Sequence, residues 1–107
     1  MTTVSVWRDE NGVNGLRVQD HAGFAKRGKD IVCAAASILI TTCVNSLESV
    51  AHITPEVLVE EKSAVIEVRL PQGLSPMQDH DCRIILHTAL QGFEDIAAQY
   101  PRYLQII

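Results

Sequence analysis

Polar and apolar residues alternate from Thr2 to Arg8, with Val4 and Val6 on one side and Thr3, Ser5 and Trp7 on the other. A two-residue period rich in β-branched side chains predicts a strand. Asp9-Glu10-Asn11-Gly12 follows, and Asn-Gly tolerates the positive φ of a tight turn. Val13 to Gln19 returns through Leu16 and Val18, weakened at Gly15, so the first twenty residues read as a hairpin. The same period recurs later. Glu56 to Glu61, with Val57 and Val59 inward, and Ala64 to Leu70, with Val65, Ile66 and Val68, are joined by the short Glu61-Lys62-Ser63 segment and predict a second hairpin.

Between the hairpins the period changes. After a glycine-containing loop from His21 to Lys29, a helix is expected from Ile31 to about Ala51. Asp30 is its N-cap, its carboxylate accepting from the orphan N–H groups and favoured by the helix dipole. The first four turns are apolar nearly all round, which calls for burial on most sides. Ser75 caps a second helix, with Pro76 at the first position and Gln78 three residues after the cap. That helix runs to about Gln99 along a stripe of Ile85, Leu86, Leu90, Phe93, Ile96 and Ala97. Gly92 weakens it locally, and Pro101 stops it. Tyr103 to Ile107 suits a last strand or a docked tail. The expected fold class is α+β in two layers, β-β-α-β-β-α with a possible C-terminal strand. Its antiparallel or mixed sheet is packed by two helices on one face.

With 107 residues, 47% hydrophobic and 21% charged, the chain has the size and composition of one globular domain spanning 1–107. Acids outnumber bases 13 to 9 and aromatic residues make up 5%. That disfavours direct nucleic-acid binding, which needs a basic surface or stacking platforms. The N-terminus lacks the pattern of a signal peptide. The longest apolar stretch, Ile31 to Val44, is interrupted by Ser37, Thr41 and Thr42 and is shorter than a bilayer span of about 20 residues. Cys33, Cys43 and Cys82 have no CxxC spacing, and without an export signal they read as reduced thiols in a cytoplasm. No membrane contact and no cofactor are expected.

Counted from a cap at Asp30, Cys33 is the third helical residue. A thiol in the first turn of a helix lies where the dipole favours thiolate, the nucleophilic form. Backbone N–H groups of that turn can donate to an oxyanion. A cysteine nucleophile needs an imidazole as base and acid, and His21 lies on the loop leading into the helix. Gly23 and Gly28 let that loop fold back over the helix start. Ser37 is one turn beyond Cys33 on the same face. The plain alternative for Cys33 is a small core residue, and for His21 a solvated loop side chain. Cys43 reads as core. Asp79, His80, Asp81, Cys82 and His87 have metal-ligand types but diverge around a helix, so no metal is expected. Lys26, Arg27 and Lys29 form a small basic cluster suited to a solvated loop or to steering an acidic or ribosomal partner.

The run His21-Ala22-Gly23-Phe24-Ala25, then Gly28-Lys29-Asp30-Ile31-Val32-Cys33-Ala34-Ala35 and Ser37, resembles the signature of the ribosomal-processing cysteine proteases, the Prp family. The likeness continues through Val44-Asn45-Ser46-Leu47-Glu48, Pro55-Glu56-Val57, Glu67-Val68-Arg69-Leu70-Pro71 and Gln99-Tyr100-Pro101, essentially the whole chain. The resemblance implies a bacterial cysteine endopeptidase that trims an N-terminal extension from a large-subunit ribosomal protein. The family's nucleophile falls on Cys33, its general base on His21, its structural aspartate on Asp30 and its helper serine on Ser37. Its mobile substrate loop falls on Asp20 to Lys29, including Gly23 and Gly28. A homodimer is implied as well. In one respect the chain departs from the pattern: Asp20 stands where the family has glycine before the histidine. Its Cβ restricts the loop, and its carboxylate favours imidazolium. The competing classes are a non-catalytic ribosome-associated module of the same fold, which Asp20 favours, and a thiol redox sensor built on Cys33.

Overall fold

The computed structural model describes residues 1–20 and 27–107, with side chains from residue 31 onward in the second segment. The elements follow the order β1 (Thr2–Asp9), β2 (Gly12–Asp20), α1 (Arg27–Ser49), β3 (Glu56–Glu60), β4 (Val65–Arg69), α2 (Pro76–Gln99) and β5 (Leu104–Ile106). The strands form one sheet in the order β3-β4-β2-β1-β5. Both hairpins are antiparallel, β2 joins β4 antiparallel, and β5 adds to β1 in parallel. The closing residues are therefore a strand, docked on the outer edge of the first hairpin. The expected α+β order holds.

The β1–β2 hairpin closes through Gly12 at φ 112. Asp9 pairs with Gly12 and Arg8 with Val13, but Trp7 pairs with Gly15, so Asn14 is an extra residue in β2. Such a bulge moves every later residue of its strand to the opposite face. Val13 before it and Leu16 and Val18 after it are accordingly all in the core. Val4, Val18 and Ile66 share one row, and Leu16 and Val68 the next. The other face of the sheet is polar. There Glu67 pairs with Arg17 at 3.6 Å and with Arg69 at 3.2 Å, and the Arg69 guanidinium stacks on Trp7, 4.0 Å from the ring centroid.

The helices lie on the apolar face. Ser75 caps α2: its hydroxyl accepts from the Gln78 N–H, and the Gln78 side chain accepts from the Ser75 N–H. Cys82, Leu86, Ala89, Leu90 and Phe93 are buried from α2. Ile85, Ile96 and Ala97 of the expected stripe are partly buried beside them. From α1, Val32, Ala36, Ile40, Cys43 and Leu47 enter the same core. The stretch Ile31–Ser49 is long and apolar enough to cross a membrane by length and composition, which the reading of Ile31 to Val44 missed. Here it is a two-sided helix, with Ser37, Thr41, Asn45 and Glu48 exposed.

Three expectations change. Helix α1 begins at Arg27, not after Asp30. An acidic residue is favoured anywhere in a first helical turn as well as at the cap, so Asp30 alone did not fix the start. Burial of α1 on most sides does not hold, because Ile31 and Ile38 are 53% and 63% exposed. Nor are Val57 and Val59 inward: every residue of β3 is exposed. Both valines pair on the apolar side, with Val68 and Ile66, but β3 is the edge strand and the helices do not cover it.

Candidate active site

The open end of the first hairpin places the candidate nucleophile. Thr2 pairs with Asp20, and the bulge at Asn14 leaves both on the helix side of the sheet. Thr2 is buried at 1% exposure. Its hydroxyl donates to Asp20 Oδ1 at 3.3 Å, and the Asp20 N–H donates to the Ala64 carbonyl at 3.1 Å. Helix α1 crosses above them. The half-buried Cys33 has Asp20 among its partners: its Sγ donates to Asp20 Oδ2 at 2.6 Å. Sγ is also 3.9 Å from the Thr2 hydroxyl.

A cavity of about 290 Å³ opens beside the sulfur. Ser37 lines it one turn along α1 from Cys33, as the spacing predicted. Glu60 and Glu61 line the opposite wall at the end of β3. The described residues around this cavity contribute three carboxylates, Asp20, Glu60 and Glu61, and no cation.

The structure thus brings Cys33 and Ser37 to one cavity. His21 and Gly23, the expected base and one hinge of the substrate loop, lie outside the described residues, as do Phe24 and Lys26. Gly28 and Asp30 are described through the backbone of α1, so Gly28 is helical and not, as expected, part of a substrate loop reaching Lys29. With α1 starting at Arg27, Asp30 is the fourth helical residue and Cys33 the seventh. Dipole effects fall off within the first turn. The argument that a first-turn position activates the thiol is therefore lost, and Asp30 is not a cap. Sequence reasoning missed Thr2 and the Asp20–Cys33 contact. A signal existed in Val13 and Leu16, three apart in one strand, whose joint burial requires a bulge.

The other thiols are removed from this site. Cys43 is buried, and burial pushes its thiol up to about 12. Burial, with Asp79 and Asp81 nearby, also raises Cys82. At the turn end of the hairpin, about 23 Å from Thr2 by strand rise, Arg83 binds both Asp9 and Asp79 and donates to the Gly12 carbonyl at 3.1 Å. His87 Nε2 accepts from the Val13 N–H at 3.2 Å. His80 is exposed beside Asp81. Asp79, His80, Arg83 and His87 line an open groove of about 920 Å³ at that end; Arg83 and His87 tie α2 to the hairpin, and Cys82 is buried in the core.

A family model described as cysteine protease Prp matches residues 1–105. The chain belongs to the Prp cysteine protease family. Relatives include the ribosomal processing cysteine protease Prp of Bacillus subtilis, 23% identical over 97 residues, covering 91% of this chain and 87% of that protein. The protein of that name in Staphylococcus aureus is 24% identical over 107 residues, with 99% and 97% covered. The fold matches that of SMU.848 from Streptococcus mutans at TM-score 0.87, 24% identity and 99% and 95% coverage. It also matches the ribosomal processing protease Prp of S. aureus in complex with a substrate peptide, at TM-score 0.86, 22% identity and 100% and 98% coverage. Membership of the family makes this chain a cysteine endopeptidase.

Proposed function

We propose that the chain removes an N-terminal extension from a large-subunit ribosomal protein, with Cys33 as nucleophile and His21 as general base. The observation that carries this reading is a half-buried thiol on a cavity, with a serine one turn along the same helix, in a chain of a cysteine protease family. Relatives named for ribosomal processing support the substrate class.

In the attack step the Cys33 thiol gives its proton to His21 as the sulfur bonds to the peptide carbonyl carbon, and the carbonyl oxygen becomes a tetrahedral oxyanion. Collapse breaks the C–N bond, and His21 gives its proton to the leaving amine. The thioester left on Cys33 is opened by water deprotonated at His21, which restores the thiol and releases the carboxylate product. Ser37 positions the sulfur or the imidazole by hydrogen bonding, and Asp30 supports the helix start. His21 serves as base and acid from the segment that leads into α1, and Gly28 belongs to the first turn of that helix. The enzyme works in a reducing cytoplasm, where Cys33 stays a thiol, and as a homodimer. The uncovered Val57, Leu58 and Val59 on the edge strand support the latter.

The test is intact-mass spectrometry of the extended ribosomal protein incubated with this chain, beside a Cys33→Ala control. One shorter product with the wild type, and none with the variant, is the expected result. Substrate left uncut by the wild type refutes the protease. Uncut substrate that co-purifies with the chain replaces it with a binding module, the reading that a thiol bound to a carboxylate favours.

A further inference from the structure

The described sheet has β5 at one edge and β3 at the other. β5 has three residues. β3 has five, Glu56–Glu60, and every one is exposed. In an edge strand alternate residues turn their N–H and C=O groups away from the one neighbouring strand. Proteins commonly blunt such an edge with a proline, a lysine or a bulge. β3 contains no proline or lysine, and its register with β4 runs evenly from Glu56 opposite Arg69 to Glu60 opposite Val65. An extended chain can add to it as a further strand.

β3 also leads to the candidate site. Its last residues, Val59 and Glu60, and Glu61 after them line the cavity beside Cys33, whereas none of β5 does. The sheet order β3-β4-β2 puts a strand added to β3 three spacings from β2, or about 14 Å, which an extended chain covers in about four residues. Charge selects the occupant. The strand is apolar in its middle, Val57-Leu58-Val59, and acidic at its ends, with Glu56 before and Glu60 and Glu61 after, all exposed. A second copy added antiparallel with Leu58 opposite Leu58 would set Glu56 opposite Glu60 twice, and like charges directly opposite are destabilising. A segment of a protein that binds ribosomal RNA is complementary, because such proteins carry lysine and arginine to neutralise phosphates.

We infer that the free edge of β3 is a docking strand for the substrate. An extended, basic segment of the ribosomal protein pairs with it, starting about four residues from the bond cleaved at Cys33. This rests on the reading of the chain as a protease for an N-terminal extension and adds a remote subsite to it. The side chains of Val57 and Val59 stand on the helix side of the sheet, in line with Val68 and Ile66, so a second copy seated over them leaves the edge itself open. Backbone pairing and charge at β3 hold the chain, and the cavity beside Cys33 selects the bond.

The experiment is an N-methyl scan of a fluorescein-labelled peptide that spans the cleavage junction of the extended ribosomal protein, one backbone N–H replaced at a time. Binding to the Cys33→Ala protein is read by fluorescence anisotropy, so it does not depend on turnover. Beyond about four residues on one side of the junction, Kd is expected to rise about two- to tenfold at every second position and to hold steady between them. That alternation is the signature of strand pairing, and a scan that is flat on both sides overturns the inference. Glu56→Lys combined with Glu60→Lys reverses charge at two exposed positions. It should weaken binding of the unmodified peptide about tenfold at low salt, with the gap closing as salt is added. If instead the double variant leaves that Kd unchanged and alters the sedimentation of the protein alone, the edge holds a second copy and the inference fails. Cleavage of the same peptide by the wild type is followed by mass spectrometry. Alternating Kd values without cleavage refute the protease and leave the docking strand standing. Cleavage with a flat scan does the reverse.

Discussion

Gly92 lies inside α2, where glycine costs about 1 kcal/mol relative to alanine, so Gly92→Ala looks like a stabilising change. The packing reverses that expectation. A Cβ built on Gly92 would stand 2.8 Å from both Leu39 methyls and 3.4 Å from its Cγ. Those distances lie inside van der Waals contact, so the glycine is where α2 comes close to α1. Leu39 is half-buried against the core, and it must turn or push α1 away. Overpacking of this kind costs about 1–3 kcal/mol. Set against the propensity gain, Gly92→Ala is expected to lower stability by about 1 kcal/mol, or roughly 4 °C in Tm for a chain of this length. Leu39→Ala removes the obstacle. In that background Gly92→Ala should stabilise by up to about 1 kcal/mol, so the cycle carries a coupling of about 2 kcal/mol. Urea unfolding followed by circular dichroism on the four proteins measures it, with unchanged m-values as the check that midpoints report stability. A wild-type background in which Gly92→Ala stabilises, or a coupling below about 0.5 kcal/mol, would refute the close approach of the helices.

Two further expectations concern titrating groups. The Arg83 hydrogen bond holds the Asp9 carboxyl below its ordinary value of 3.8. The stability this lends is fully present above that value and is lost as pH falls through the lowered one. Arg83→Met should therefore be less stable than wild type at pH 6, with the gap narrowing in urea titrations as pH falls below 3.8. Curves that stay parallel down to pH 2 would mean the pair contributes no such linkage. Burial pushes Cys43 up to about 12 and raises Cys82, so both stay protonated through pH 9 in the folded chain. Iodoacetamide at pH 9 should label Cys33 and spare both until urea is added. Native labelling of Cys43 at the rate of Cys33 would contradict its burial.

Much of the fold was legible because local signals agreed with one another. The Asn11-Gly12 turn, the Ser75-Pro76-Gln78 cap and the two-residue periods each have a mechanism that acts over a few residues. The misreadings share a cause: they depended on what lies beyond the segment. Val57 and Val59 alternate as a half-buried strand should, but sequence does not say which strand is the edge. The apolar run of α1 promised burial all round, and its exposed isoleucines follow from a helix layer with a free side. Asp30 is as well placed in a first turn as at a cap, so the start of α1 was open by one turn. That turn decides how much dipole Cys33 feels. Of the candidate site, the one-turn spacing that sets Ser37 beside Cys33 on one cavity was legible, and the first-turn position that singled out Cys33 was not. His21 and Gly23 fall outside the described residues.

The site turns on one residue that carries no chemistry. Continued without interruption from the turn, the ladder that pairs Asp9 with Gly12 would set Thr2 opposite Gln19, and the odd-numbered residues of β2 would face the helices. Asn14 adds one position and shifts the phase. Leu16 and Val18 then enter the core, which is the hydrophobic reason for the bulge, since the unshifted register would bury Arg17 and Gln19 instead. The Asn14 carbonyl also accepts from the Leu70 N–H at 3.0 Å, so the extra residue is held in place. The same shift turns Asp20 from the outer face to the inner one, beneath the crossing of α1. A carboxylate that reads in the sequence as the start of a loop thereby becomes the hydrogen-bond partner of the thiol. Core packing and the carboxylate beside Cys33 are set by the same insertion.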